Sequence, residues 1–154
     1  MEYLILQIPV ENILDDKDSQ YLFDKYAEEA KHEDVQTNNT PDKAKYMSLQ
    51  EMGMLDCVGV YYDKNLVGFI VALTMNMTHY NELHTTIESQ FLLKEHRHNG
   101  VGIKMFRKLE HIVQAKGSRH LFMSAPIGSR LEKIATKLYG FKPTSTLFLK
   151  TLKG

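Results

Sequence analysis

The chain has 154 residues with 19 Lys and Arg against 19 Asp and Glu, and the resulting net charge of zero removes the simplest argument for a nucleic-acid partner. An apolar fraction of 43% and a charged fraction of 25% fit one soluble domain, and no apolar run approaches the roughly 18 residues of a membrane helix. Cys57 stands alone, which excludes an internal disulfide framework; with an amino terminus lacking a basic start and a cleavage site, it leads to the expectation of a cytoplasmic protein.

Tyr3–Ile8 reads as an apolar first strand stopped at Pro9. From Val10 to about His32 the pattern is helical, with Tyr21, Leu22, Tyr26 and Ala30 on one face. The run Thr37-Asn38-Asn39-Thr40-Pro41 is a turn, with Thr40 placed to cap a second helix and Pro41 at its first position; Gly53 ends that helix. Strands follow near Cys57–Tyr62 and Leu66–Met75, joined as a hairpin through Asp63-Lys64-Asn65. Thr85–Leu93 is rich in β-formers and makes a third consecutive strand. Val101–Lys116 is a helix closed by Gly117 in a left-handed cap. A strand at Arg119–Ser124, a helix at Ser129–Tyr139 and a strand at Thr144–Lys150 complete the order β-α-α-β-β-β-α-β-α-β. This is a single α/β domain, residues 1–154, with a mixed sheet.

The neutral charge averages two unlike halves. Residues 1–63 hold fourteen acids and five bases, and residues 64–154 hold five acids and fourteen bases. Two solvated faces would account for this, and so would two ligands of opposite charge.

Arg97-His98-Asn99-Gly100-Val101-Gly102, between a strand and an amphipathic helix, is the most informative segment. Its glycines let backbone approach a ligand closely, and the helix start offers unpaired N–H groups and a positive dipole end to an anion. Arg97 and Lys104 add full charges. A Walker A loop fails because Ile103 follows Gly102, and a dinucleotide fingerprint fails because Met105 stands where its third glycine belongs.

Arg97-x-x-Gly100-x-Gly102 resembles the acetyl-coenzyme A signature [RQ]-x-x-G-x-[GA] of the GNAT superfamily of N-acetyltransferases, and the order of elements around it is similar. Leu92-Leu93-Lys94-Glu95-His96-Arg97 resembles the family's V-x-P-x-x-R approach with Lys94 for the proline, and Gly140-Phe141 resembles its G-F closure. His79-Tyr80 and the Lys142-Pro143 ending look most like small phage-encoded members.

The resemblance implies acetyl-CoA as co-substrate; no metal is expected, because the histidines show no third ligand at a recognised spacing. The resemblance assigns the pyrophosphate to the amides of Asn99, Gly100, Val101 and Gly102, with Arg97 and His98 alongside. The strand end at Phe91, Leu92 and Leu93 would splay from its neighbour and pair with the pantetheine arm, where a backbone N–H polarises the thioester carbonyl. Registered on Gly140-Phe141, the family's last-helix pattern N-x-x-A-x-x-x-Y-x-x-x-G-F puts Ser129 at the Asn position, Glu132 at the Ala and Thr136 at the acid tyrosine. Tyr139, one turn later, is either the acid or a core aromatic.

Proton balance ranks these roles. A thiol near pKa 8.5 leaves neutral water chemistry by only about 2 kcal/mol, whereas an amine near 10.4 must shed its proton against about 4.6 kcal/mol. A general base therefore matters more than an acid, with help of roughly 10²–10⁴. Glu88 is the candidate base, on a strand face expected to include Thr86, Gln90 and Leu92; His84 is the second choice. His79 and Tyr80 either line the acceptor pocket or cap the hairpin.

The remaining constellations are weaker. His96-x-His98 lacks a third metal ligand at a recognised spacing, and Cys57 lacks a local activating partner. The reading is transfer of an acetyl or short acyl group to an amine, cationic if the charge layout has meaning, by direct attack in a ternary complex. The alternative is a catalytically degenerate binding or inhibitory module of the same fold.

Overall fold

The computed structural model describes residues 2–30 and 40–152. Its elements are β1 (Tyr3–Ile8), α1 (Glu11–Leu14), α2 (Ser19–Ala30), α3 (Lys43–Glu51), β2 (Leu55–Tyr62), β3 (Asn65–Met77) and β4 (Glu82–Leu92), then α4 (Val101–Ala115), β5 (His120–Phe122) and α5 (Arg130–Lys137). The strands form one sheet in sequence order, antiparallel throughout except for the parallel β4–β5 pair. None of its helices, among the described residues, is long and apolar enough to cross a membrane.

The sheet is covered on both faces. The helix α4 lays Val101, Met105, Phe106, Leu109 and Val113 against β1, β2 and β3, the spacing of an amphipathic stripe. On the other face, Phe23 and Tyr26 of α2 reach Phe69 and Phe91, with ring centroids 5.7 and 6.3 Å apart. Edge-to-face rings at these distances add to the area they bury. The α4 helix ends at Gly117 with φ +95°, as its sequence requires.

The β2–β3 hairpin turns on two residues, Asp63 and Lys64, with φ of +49° and +66°. Left-handed conformations at both positions match the strand twist, so Asn65 opens β3 instead of joining the turn. The single helix expected from Val10 to His32 is two: Asp16 Oδ1 accepts from the Asp18 N–H at 2.8 Å, a side-chain turn that competes with helix between Leu14 and Ser19. Its end, like Thr37–Asn39, lies outside the described residues. The cap of α3 is Asp42, which accepts from the Lys45 N–H, not Thr40; Pro41 precedes the helix.

The largest departure is at the carboxy end. β5 has only three residues, and Thr144–Lys150 is not a strand; Leu147 and Phe148 are 86% and 88% exposed. Strand propensity is realised only against a partner edge and a packed face. The segment has neither, so its apolar pattern is left unused.

Candidate active site

The β4–β5 ladder pairs His84, Thr85 and Thr86 with His120, Leu121 and Phe122, and then stops. From Ile87 to Leu92 the β4 edge facing β5 has no strand partner among the described residues, so the splay expected near Phe91–Leu93 begins five residues earlier than Leu92. Gln90, on this stretch, has its carboxamide oxygen buried without a hydrogen-bond partner. An orphaned acceptor beside an open strand edge is costly unless a donor reaches it.

Leu93 leads through a 3-10 turn, Lys94–His96, to the signature loop. Asn99 and Gly100 follow in succession at φ +53° and +74°, a turn that Asn tolerates and Gly favours. Lys104 makes the first bond back to the loop in the helical pattern, from its N–H to the Gly100 carbonyl at 3.0 Å. The N–H groups of Asn99, Gly100, Gly102 and Ile103 have no protein acceptor among the described residues, as the start of a helix dictates. A Cβ at Gly100 would meet open space, while one at Gly102 would lie 2.6 Å from Tyr139 Oη.

The side chains of the loop are held elsewhere. Arg97 donates from Nε to the Leu92 carbonyl at 2.6 Å and from Nη2 to both Glu29 oxygens at 2.8 Å, with its guanidinium over the Phe91 ring. It thus ties α2 to the end of β4. His98 lies edge-on to Tyr3, and His96 Nδ1 shares a 2.8 Å hydrogen bond with the Tyr3 hydroxyl. This pair braces β1.

Glu88 sits at a β-bulge: Ile87 pairs with Ala72 and Ser89 with Val71, leaving Glu88 as the extra residue. A bulge resets the alternation of side chains. Thr86 therefore shares a face with Ser89 and Phe91, while Gln90 and Leu92 turn to the α4 side; the expected common face of Thr86, Glu88, Gln90 and Leu92 does not exist. Glu88 itself accepts from the Tyr46 hydroxyl at 2.6 Å through Oε1 and from Ser89 Oγ at 2.7 Å through Oε2. Burial first, and then the bond to Glu88, push the Tyr46 phenol far above its ordinary pKa, so it remains a donor. Tyr26 is raised too, by burial and by the Glu88 charge. Glu88, Tyr26 and Tyr46 gather between α2, α3 and β4. No local motif marks either tyrosine, and only their place on helical faces could have drawn notice.

The last helix divides its candidates. Ser129 is the cap of α5, its Oγ accepting from the Glu132 N–H, while the Glu132 carboxylate reaches back to the Gly128 N–H, so the two side chains satisfy amides on both sides of the helix start. Thr136 is exposed and its hydroxyl donates to the Glu132 and Lys133 carbonyls of its own helix. Tyr139, just beyond the helix, stacks on Phe106 with centroids 4.2 Å apart, and burial raises its phenol although Arg130 pulls it down. Cys57 is buried in β2, its thiol pushed up to about 12 by burial and then by Asp56, Glu88 and Glu11. An un-ionised buried thiol is a poor nucleophile. His84 lies at the paired start of β4, beside Glu82 and His120, away from Glu88's bulge.

The acetyltransferase (GNAT) family pattern matches residues 14–141, which takes in the splayed strand, the signature loop and the Gly140-Phe141 closure. The chain belongs to the GNAT acetyltransferase family. It is an acetyltransferase by that membership, and its mixed five-stranded sheet is the fold of its structural neighbours. An aminoglycoside acetyltransferase from an uncultured soil metagenomic sample superposes with a TM-score of 0.75 at 19% identity, over 100% of both chains. A ribosomal-protein-alanine N-acetyltransferase from Brucella melitensis biovar Abortus gives 0.73 at 14%, over 98% of this chain and 100% of that one. An aminoglycoside N-acetyltransferase in complex with CoA gives 0.75 at 13%, over 99% of this chain and 96% of that one. At such identities the likeness is one of fold. No protein of curated function matches the sequence significantly.

Proposed function

We propose that this GNAT protein transfers an acetyl or short acyl group from its coenzyme A ester to the nitrogen of an amine, by direct attack in a ternary complex. The observation that carries the reading is the ladder of β4 and β5 ending at Thr86, which leaves an open edge running from Ile87 toward the helix start at Gly100–Gly102. Acetyl-CoA supplies an activated acyl group and a good leaving thiol. The residues fit it: Asn99, Gly100 and Gly102 offer free amides to its pyrophosphate, whereas the Val101 N–H, expected to join them, donates to the His98 carbonyl at 3.2 Å; Gly100 leaves room for close approach, and the edge at Phe91–Leu93 suits an amide-bearing arm.

On the opposite face, Glu88 accepts the proton of the attacking amine, directly or through water, and Tyr46 and Ser89 hold its carboxylate in place. Tyr139 covers the first turn of α4, and a role as proton donor to the leaving thiolate would be secondary to the base. The acidic half of the chain, which includes α2 and α3 beside Glu88, favours a cationic acceptor. Aminoglycosides and a ribosomal-protein alanine, the acceptors in the names of its structural neighbours, both offer an amine. A cytoplasmic setting and a likeness to phage-encoded members belong to the same reading, the latter on His79-Tyr80 and Lys142-Pro143 alone.

Isothermal titration with acetyl-CoA tests the donor: saturable binding that Gly100→Trp abolishes is expected, and no heat at millimolar ligand would sink the reading. The alternative, a degenerate module that binds without turnover, is favoured by one observation. Thr136, at the acid position, spends its hydroxyl on its own helix. Thiol release across a panel of amines separates the two, since a module binds acetyl-CoA and releases none.

A further inference from the structure

We propose that Glu82, His84 and His120 form a site for a divalent transition metal of the zinc type, clasping β4 to β5 at their paired ends. His84 and His120 are register partners in the parallel ladder, and in a parallel pair partners project to the same face. Glu82 lies two residues before His84 on β4, so it projects to that face as well. One ligand atom from each of the three falls within 4.8 Å of the others. Glu82 Oε2 is 3.4 Å from His84 Nε2 and 3.9 Å from His120 Nε2.

A tetrahedral zinc with bonds of about 2.0–2.1 Å sets its ligand atoms about 3.3–3.5 Å apart. One edge of the triangle already has that length, and the others close by side-chain rotation. Two imidazoles and a carboxylate with a fourth position left to water is a recurrent zinc donor set, and imidazole nitrogen also suits nickel, cobalt and copper over magnesium or calcium.

The surroundings hold the ligands in place. The His84 side chain is 11% exposed, edge-on to His120 at 4.9 Å between centroids, with Phe122 at 5.6 Å and Tyr80 stacked at 6.4 Å. Rings on several sides limit its rotamers, and a carboxylate already within reach of both imidazoles offsets the charge of an ion. His120 and Glu82 remain accessible, which leaves an entry path.

The site is separate from the proposed transfer chemistry. Eight residue steps along β4, about 26 Å at strand rise, separate His84 from Leu92, and four steps, about 13 Å, separate it from Glu88, where the bulge resets the strand. β5 has just three ladder partners on β4. Metal ligation across the first of them would fasten the closed end of the fork whose other end is open.

The test uses the tag-free full chain, stripped with chelator, and titrates Zn2+ by calorimetry with thermal unfolding in parallel. One ion per chain with a micromolar or tighter Kd, and a raised Tm that Mg2+ does not reproduce, is expected. His120→Ala and Glu82→Gln, both at accessible positions, should each weaken Zn2+ binding by about 10–100-fold and cancel the Tm rise, while acetyl-CoA titration still reports a folded chain. Absence of one-to-one binding, or binding that survives both substitutions undiminished, would overturn the proposal.

Discussion

The Tyr46 hydroxyl donates a 2.6 Å hydrogen bond to Glu88 Oε1, joining α3 to the bulge of β4 across the sheet face that α2 and α3 cover. The pair places a carboxylate at the one point of β4 where the ladder is interrupted. Glu88→Gln preserves shape and removes the proposed proton acceptor, so kcat should fall by about 10²–10⁴ with acetyl-CoA affinity unchanged. Undiminished turnover with the natural acceptor would remove Glu88 from the mechanism.

Under the proposed mechanism Tyr46 acts through Glu88, as a positioning residue. A hydrogen bond to a charged group contributes about 1.5–3 kcal/mol, so Tyr46→Phe should lower kcat by roughly 10–100-fold while KM for acetyl-CoA holds. In the Glu88→Gln background the same change should cost little, because the interaction it removes has lost its charge. A double-mutant cycle on kcat reads this directly, and simple additivity would deny the coupling.

Gly102 and Tyr139 test the packing beneath the signature loop. A methyl at residue 102 meets Tyr139 Oη at 2.6 Å, but only the ring carbon at 3.9 Å once the hydroxyl is gone. Gly102→Ala should destabilise by about 1–3 kcal/mol, and Tyr139→Phe should restore most of that loss. Urea unfolding of the two single variants and the double variant decides. If turnover also survives Tyr139→Phe, the phenol is structural.

Arg97 bridges the Leu92 carbonyl and Glu29, so its loss should loosen α2 as well as the loop. The ion pair is partly exposed, and such a pair contributes about 0–1 kcal/mol. Arg97→Ala should therefore weaken acetyl-CoA binding more than Glu29→Gln does, because it alone frees the end of β4. Equal losses in the two variants would assign the effect to the ion pair.

Cys57 gives a pH dependence with a definite sign. Burial raises its thiol from 9.0 to about 12, so the unfolded chain releases the proton first. The contribution is intact below pH 9.0 and is lost as pH rises toward about 12, because in that window the native state binds more protons than the unfolded one. Cys57→Ala should flatten the fall of stability with pH across this range, although it lowers stability overall. Thiol reagents should label native Cys57 only as fast as the chain opens.

Local patterns carried most of the architecture. The α4 stripe, the Gly117 cap and the existence of the β2–β3 hairpin each depend on residues near one another in sequence, so they were legible there, although the turn is one residue shorter than Asp63-Lys64-Asn65. Thr144–Lys150 has the pattern of a strand without its surroundings, since a strand is completed by a partner edge and three-residue β5 supplies none. The unbroken helix from Val10 failed at Asp16, where a side chain outcompeted the backbone.

For the site, the Arg97-x-x-Gly100-x-Gly102 spacing was enough to expect a helix start with unpaired amides, because amides and dipole follow from backbone geometry alone, while the zero net charge said nothing of where it lies. What surrounds that start was decided only in three dimensions. Alternation by two put Glu88, Gln90 and Leu92 on one face; the bulge separated them, since one extra residue on β4 changes which way every later side chain points. Tyr46, 42 residues away, became the partner of Glu88, and Glu29, 68 residues away, the partner of Arg97. Such pairs have no sequence signal, because the packing of helices on a sheet, and not proximity along the chain, brings them together.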